Sequence, residues 1–325
     1  MDQAVYTVSD RRYFLGTVAL LNSLRLLGHT DPVFLVDAGL SDEQRDIIAG
    51  HVTLIPAPEA VPALFLKVLG PLSHPADVAI LLDADVIVVR PLHDLIDVAR
   101  SGRMVAFINN EPNHDRFFND WGQTLALGPL QRRPYLANGQ LWIPSSLSAR
   151  VLQPCWDAQH RVDMQHTWVG TGTLVDPFYF AEMDVFNAVV AAYLEPHEVL
   201  AYDHRLAPHP PFPELAVVDK WRLLCRYPDG SQPFLLHHVL AKPWLKPTRA
   251  NAYSRLLTRL LLAPDVSLRL DPELLPVRLR EGWLAAGDRV RANAQATLST
   301  ETRKQVGRLK IRTRLRARRG RYDRP

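Results

Sequence analysis

Residues 81–87, LLDADVI, set two aspartates, Asp83 and Asp85, between apolar residues. In an extended chain, residues i and i+2 point to the same side, so the two carboxylates face one volume, about 6–7 Å apart at the backbone. Two such acids in a partly buried site need a cation, and their hard oxygen ligands suit Mn²⁺ or Mg²⁺. An acidic turn between two strands is the alternative. The position of the pair after a buried strand, where open α/β sheets bind ligands, favours a site.

Strands and helices alternate around this segment, which predicts an α/β fold with a mostly parallel sheet and helices on both faces. The run 78–82 is entirely apolar, as expected of a strand covered on both sides. Predicted strands are 4–8, 32–36, 52–55, 78–82, 104–108, 141–143, 216–218 and 234–236. Predicted helices are 13–27, 41–50, 64–69, 182–193, 253–262 and 290–298.

The composition indicates a globular protein. The 325 residues include 38 Lys and Arg against 34 Asp and Glu, and 47% are hydrophobic, which excludes a disordered or fibrous chain. The two cysteines form no CxxC pair, so neither a disulfide framework nor a cysteine zinc site is expected. No GxGxxG or GxxxxGK(S/T) motif occurs, which argues against a classical dinucleotide fold and a P-loop. We see neither a signal peptide nor a membrane span and expect a cytoplasmic protein.

The positive charge is concentrated at the C-terminus. Residues 301–325 hold 11 Lys and Arg and 2 acids, so the rest of the chain is mildly acidic. We expect a flexible tail that either contacts an anionic membrane surface, giving a peripheral location, or has no specific partner. Nucleic acid is the less favoured partner, because Tyr322 is the tail's one aromatic residue for base stacking. We divide the chain into a catalytic domain (1–245), a helical extension (246–300) and this tail.

The aspartates resemble the DxD motif of GT-A fold glycosyltransferases, and further segments resemble glycosyltransferase family 8, the glycogenin and lipopolysaccharide galactosyltransferase group. Together these segments cover residues 4 to 244 in the family's order. The further segments are Tyr13-Phe14-Leu15-Gly16-Thr17 with Ser23-Leu24, Lys67 at 16 residues before Asp83, Ala137-Asn138-Gly139, Glu182-Met183-Asp184-Val185-Phe186-Asn187, and Lys242-Pro243-Trp244.

The resemblance implies a GT-A sheet, a bound Mn²⁺ or Mg²⁺ and a UDP-sugar donor. The implied metal ligands are Asp83, Asp85 and a histidine. Either of the adjacent residues His237 and His238 could be this third ligand, and we prefer His238. The implied catalytic residues are Glu182, Asp184 and Lys242. The implied substrate-binding residues are Thr7, Val8, Ser9, Asp10, Tyr13, Lys67, Ala84, Asn138, Gly139 and Lys242.

The chain departs from the family pattern at several of these positions. The two histidines lie five and four residues before Lys242, where the family has one at six, and the family's Asn position is taken by Ala137. The family's Asp-Gln pair becomes Glu182-Met183, which removes an amide near the sugar.

The expected function is transfer of a sugar, with the retention that the resemblance implies, to a glycan, lipid or protein acceptor. The alternative is a binding protein on a degenerate transferase scaffold, tethered by its basic tail to membrane or nucleic acid. A hydrolase fits poorly, because Asp83 and Asp85 share one side and do not straddle a bond.

Overall fold

The computed structural model describes residues 1–110, 112–239, 241–280 and 285–297. The predicted basic tail, 301–325, therefore lies outside the described residues. The strands are β1 (Gln3–Ser9), β2 (Val33–Asp37), β3 (Thr53–Pro56), β4 (Val78–Leu82), β5 (Val86–Val88), β6 (Met104–Ile108), β7 (Leu136–Pro144), β8 (Val199–Tyr202), β9 (Ala216–Asp219), β10 (Leu224–Arg226) and β11 (Leu235–His237).

Helices surround these strands. The α-helices are α1 (Phe14–Leu26), α2 (Asp42–Ile48), α3 (Leu69–Ser73), α4 (His93–Arg100), α5 (Asp120–Thr124), α6 (Ser145–Gln159), α7 (Glu182–Tyr193) and α8 (Ala252–Leu262). Residues 285–297 are also helical. Short 3₁₀ helices lie at Ala63–Val68, Met164–His166, Pro196–Glu198, His204–Leu206, Pro272–Leu274 and Val277–Leu279. Within the described part of the chain, no helix is both long enough and apolar enough to span a bilayer.

The central sheet has seven strands in the order β3-β2-β1-β4-β7-β6-β8. β7 is antiparallel to both of its neighbours, β4 and β6, whereas the other pairs in this sheet are parallel. Two small antiparallel sheets, β9–β10 and β5–β11, complete the pairing. The expected α/β sheet with helices on both faces is confirmed.

β4 is the central strand of the sheet, and both of its faces are covered. Its five residues are all buried. Ile80 and Leu82 belong to the core under α1, α4 and α8, while Ala79 and Leu81 belong to the opposite core under α6 and α7. This alternation explains why the sequence of β4 is a continuous apolar run. Because β4 is packed on both faces, the residues that follow it have a fixed position at the edge of the sheet.

The C-terminal extension packs on the first helix. The side-chain amide of Asn22, buried in α1, donates to the carbonyl oxygens of Leu260 (2.7 Å) and Leu268 (2.8 Å) and accepts from the Leu268 N–H. These bonds satisfy a buried polar group that would otherwise cost about 1–3 kcal/mol. They join α8 to the core of the sheet, and the domain boundary near residue 245 stays a prediction.

Several element predictions need correction. The helix predicted at 64–69 is a 3₁₀ segment (Ala63–Val68) followed by the short α3, since Pro62 and Pro71 interrupt the α-helical hydrogen bonding there. The strand predicted at 141–143 is the longer β7. α4, α6 and the short strands β5, β8 and β10 were not predicted. The short strands have three or four residues each, too few to show a clear alternation.

Gly16 tests how closely α1 packs against the aspartate turn. A Cβ at this position would overlap the carbonyl oxygen of Ala84 and lie 2.7 Å from the Trp244 ring. We expect Gly16→Ala to lower the free energy of unfolding by about 1–3 kcal/mol, although alanine is the better helix former. Urea denaturation measures this change. Gly50→Ala, where a Cβ would meet no atom within 4 Å, is the control and should stay within about 0.5 kcal/mol of the native chain. An equal effect at both glycines would contradict the packing argument.

Candidate active site

Asp83 and Asp85 lie in the turn that joins β4 to β5, at the edge of the sheet. The Asp83 N–H donates to the carbonyl oxygen of Gly139 in β7 (2.8 Å), and the Val86 N–H closes the turn on the Asp83 carbonyl oxygen (3.1 Å). β5 then pairs with β11 in the register that sets His237 opposite Val86. This register brings the imidazole of His237, from a segment distant in sequence, to the aspartates.

The three side chains converge. The His237 Nε2 atom lies 3.1 Å from Oδ1 of Asp85 and 3.5 Å from Oδ2 of Asp83. One ligand atom from each residue falls within 4.8 Å of the other two. Two carboxylates and an imidazole are a donor set that Mn²⁺ or Mg²⁺ accepts. The residues present therefore fit a divalent cation.

His238, the imidazole that we preferred from sequence, lies on the other side of β11. Its Nε2 is 3.3 Å from the side-chain amide of Asn251, and its ring packs 5.0 Å from that of Tyr253. Burial, and then the charge of Lys242, lower the pKa of His238 to about 4. Adjacent strand residues point to opposite faces, and the β5–β11 register turns His237 inward. The geometry thus favours His237 as the third ligand.

Two lysines flank the aspartates. Lys67 pairs with Oδ1 of Asp83 (2.7 Å) and donates to the Asn138 carbonyl oxygen (2.9 Å). Buried Lys242 pairs with Oδ2 of Asp85 and donates to the carbonyl oxygen of His238. Although burial opposes ionisation, His237 and Lys242 hold the pKa of Asp85 well below its usual range. The Asp85 carboxylate is therefore ionised and available to a cation.

Gly139 leaves the space that this convergence requires. A Cβ there would overlap the His237 ring and lie 2.7 Å from Oδ2 of Asp83. The predicted Asn138-Gly139 segment thus lies directly against the aspartate pair. The Asn138 carbonyl oxygen binds Lys67, and Gly139, which has no side chain, leaves room for the His237 ring.

The start of α1 forms the adjacent wall. The ring centroid of Tyr13 lies 5.4 Å from Nζ of Lys242 and 6.4 Å from the Trp244 ring. Burial, and then the charge of Asp85, raise the pKa of the Tyr13 phenol, so it stays neutral. Oδ1 of Asp10 accepts from the backbone N–H groups of Arg12 (2.8 Å) and Tyr13 (2.9 Å). Asp10 therefore fixes the beginning of the helix, and its contact with uridine stays a prediction.

The other predicted binding residues lie at the end of β1 and in the aspartate turn. Thr7 and Ser9 are buried, Val8 is partly exposed and Ala84 is buried. The Thr7 hydroxyl has no hydrogen-bond partner among the described residues, while Ser9 accepts from the Thr17 hydroxyl (2.8 Å).

Solved glycosyltransferase structures share this architecture. An active-site mutant of LgtC matches with a TM-score of 0.54 and 17% identity, over 83% of this chain and 98% of LgtC. The galactosyltransferase LgtC with donor and acceptor sugar analogues matches with a TM-score of 0.50 and 15% identity, over 81% and 98% of the two chains. The apo form of the bifunctional glycosyltransferase WbbM matches with a TM-score of 0.52 and 13% identity, over 82% of this chain and 50% of WbbM.

The chain has the GT-A fold. No family model matches its sequence, and no curated protein does. Identities of 13–17% establish the shared fold, and the chemistry must be argued from the side chains.

Glu182 and Asp184 begin α7 in this GT-A fold and have different environments. Oε2 of Glu182 is buried and has no hydrogen-bond partner among the described residues. Burial raises the pKa of Glu182 to about 7, with Lys67 opposing the rise and Asp83 adding to it. Glu182 is thus an unsatisfied carboxyl whose pKa is affected by the charge of Asp83. We call the group of Asp83, Asp85 and His237 the metal cluster, because its donor set fits a divalent cation.

Asp184, predicted as catalytic, has a structural environment instead. Both of its carboxylate oxygens pair with Arg116 (2.7 and 3.0 Å), and Oδ1 also accepts from the Tyr135 hydroxyl (2.7 Å). Oδ2 accepts from the Phe180 N–H as well (2.7 Å). With every acceptor direction engaged and no exposed surface, Asp184 holds the loop before α7 in place.

Two side chains near the site were not predicted. Arg116 binds Asp184 across 68 residues of sequence, and its loop carries no motif. The His209 ring packs edge-on against that of His237, with centroids 5.1 Å apart. Burial, and then the neighbouring His237, lower the pKa of His209 to about 3, so it is neutral. The signal that could have been used is the high density of histidines near the C-terminal strand.

The pKa of Glu182 has a consequence for stability. Because it is raised in the folded chain, the folded state binds more protons than the unfolded state between about pH 4.5 and 7. In the presence of EDTA, the free energy of unfolding should fall on the order of 1–3 kcal/mol as pH rises through this window. Glu182→Gln should remove this fall in urea titrations at pH 5 and pH 8. Exposed Glu59 provides the control, since Glu59→Gln should keep the native slope; a Glu182→Gln chain with that same slope would contradict the assignment.

Asp184 should behave as a structural residue. Asp184→Asn leaves Arg116 buried without its counter-charge, and we expect a loss of about 3–5 kcal/mol in the free energy of unfolding. Arg116→Met with Asp184→Leu, which removes both charges, should recover part of this loss. Thermal denaturation compares the three chains. An Asp184→Asn chain as stable as the native chain would contradict the structural role of Asp184.

Proposed function

We propose that the chain is a metal-dependent glycosyltransferase that moves a sugar from a UDP-sugar donor to a glycan, lipid or protein acceptor, with retention of configuration. The observation that carries the proposal is the convergence of Asp83, Asp85 and His237 at the carboxyl end of β4. In a GT-A fold, this edge is where a ligand binds beside the strand ends.

The charges around the cluster support a diphosphate leaving group. When the site is loaded, a Mn²⁺ or Mg²⁺ ion supplies Lewis-acid stabilisation of negative charge on the donor phosphates. Lys242 pairs with Asp85 and would be placed to face those phosphates if a bound cation compensated the Asp85 carboxylate. Lys67 likewise forms an ion pair with Asp83 and would be placed to face the phosphates in the same way. Preorganised cations of this kind are worth about 10²–10³ in rate.

The walls of the site support the remaining assignments. The Tyr13 ring offers a neutral stacking face for uracil beside Lys242. Glu182 is the carboxyl that we assign to the sugar side, where it stabilises positive charge developing at the anomeric carbon. Its environment suits this role, because an unsatisfied buried carboxylate gains most from a nearby positive charge. Asp184 takes no part in this scheme.

We also propose a cytoplasmic protein that associates peripherally with anionic membrane through residues 301–325. Eleven basic residues support this assignment, at about 1 kcal/mol for each one near the surface. Such an interaction weakens as salt is added.

The metal assignment predicts joint stabilisation by Mn²⁺ and UDP. Together they should raise the melting temperature of the native chain more than either does alone, because Asp83, Asp85 and His237 would hold the cation and its charge would strengthen binding of the diphosphate. Asp85→Asn and His237→Ala should each abolish the joint effect. His238→Asn, on the opposite face of β11, should retain it and serves as the control. Normal stabilisation in Asp85→Asn, or loss only in His238→Asn, would contradict the site.

Turnover distinguishes the transferase from a degenerate scaffold. The native chain incubated with Mn²⁺ and a panel of nucleotide sugars should release nucleotide from one donor, UDP-linked, and Asp85→Asn should not. Joint stabilisation without release from any donor would favour the binding-protein alternative, tethered by its tail to membrane or nucleic acid.

A further inference from the structure

A second concave region lies in the C-terminal extension and shares no lining residue with the metal cluster. It is a groove of about 660 Å³ between β9, the turn after β11, α8 and the helical residues 285–297. We call it the basic groove and define it by its cationic lining, Lys220, Arg255, Arg278, Arg280 and Arg289.

The basic groove has an uncompensated positive charge. None of its described lining residues is acidic. In the part of the chain that the structure describes, none of the five cations forms an ion pair, whereas Arg116 and Arg259, whose side chains are buried, each pair with an aspartate. Asp288 is the carboxylate that acts on Arg278, and it does not line the groove. Five like charges around one space repel each other unless an anion enters.

Backbone carbonyls hold part of this cluster in position without neutralising it. Nε of Arg278 donates to the Pro243 carbonyl oxygen (2.8 Å), and Nε of Arg280 donates to that of Leu275 (2.8 Å). Nη1 of Arg289 donates to the Arg280 carbonyl oxygen (3.0 Å). Arginines fixed through one face keep their remaining N–H groups free for a ligand, so the site is preorganised.

The chemistry of the lining identifies the class of anion. The arginine guanidinium presents two parallel N–H groups, which match the oxygens of a phosphate better than a single point charge does. Thr258 adds a hydroxyl donor at the same wall. Several cations in one space suit a dianion or a diphosphate more than one carboxylate.

We propose that the basic groove binds a phosphate-bearing ligand, at a site distinct from the metal cluster. The proposal does not depend on the glycosyltransferase assignment, because the groove would bind without metal or nucleotide. The phosphate comes either from a soluble phosphate ester or from a lipid headgroup, and the chemistry of recognition is the same for both.

The test is calorimetric titration of the full chain with tripolyphosphate, in EDTA and without nucleotide. Arg255 is exposed and forms no side-chain bond in the described structure, so Arg255→Gln removes charge without disturbing the fold. We expect saturable binding by the native chain and about tenfold weaker binding by Arg255→Gln. Lys220→Gln, also exposed, added to Arg255→Gln should weaken it further.

Arg103→Gln is the matched control, because it removes the same charge from an exposed position outside the groove. It should bind tripolyphosphate as the native chain does. All variants retain residues 301–325, so any binding by the basic tail is common to them. Equal affinities in Arg255→Gln and Arg103→Gln, or no saturable binding by the native chain, would overturn the proposal.

Two further measurements identify the source of the phosphate. Competition of glycerol 3-phosphate against tripolyphosphate indicates a soluble ester. Binding to phosphatidylcholine vesicles that carry phosphatidic acid, weakened in Arg255→Gln and unchanged in Arg103→Gln, indicates a lipid headgroup. Either result supports the groove as a phosphate site.

Discussion

Two carboxylates held within a few ångströms of each other need positive charge, and this requirement organises the site. Asp85 is buried and Asp83 is 28% exposed at its side chain, so water alone cannot stabilise both anions. The chain meets the requirement with Lys67 from the segment before α3 and with His237 and Lys242 from the end of β11 and the turn after it. Burying this many charges costs several kcal/mol per ion unless each is paired. Such a cluster contributes little to stability, and its geometry is better explained by a ligand that replaces the lysines.

The sheet makes this convergence possible because one of its strands runs against the others. β4 ends at the aspartate turn, and antiparallel β7 passes the same edge with Asn138 and Gly139 in its middle. A fully parallel sheet would leave the edge beside β4 without a carbonyl to orient Lys67 and without a gap for His237. The mixed topology therefore matters to the site as much as to the fold.

How much of this could be read from the sequence depends on the range of each interaction. The buried strand at 78–82 follows from local periodicity and is predicted. Asp83 and Asp85 do converge, but they lie in a turn closed by the Val86 N–H and not in the extended chain that the sequence argument assumes. The choice between His237 and His238 depends on the β5–β11 register, which two three-residue strands do not specify in sequence. The ion pair of Asp184 with Arg116 spans 68 residues and carries no local pattern. The resemblance of segment 182–187 pointed to Asp184 as a catalytic carboxylate, but its ion pair with Arg116 gives it a structural role.

The segment 242–244 connects the two polar regions of the molecule. Lys242 pairs with Asp85. The Trp244 indole donates to the Arg12 carbonyl oxygen beside Tyr13 (2.7 Å). The Pro243 carbonyl oxygen accepts from Arg278 of the basic groove. Three consecutive residues thus contact the cluster of Asp83, Asp85 and His237, the start of α1 and the basic groove.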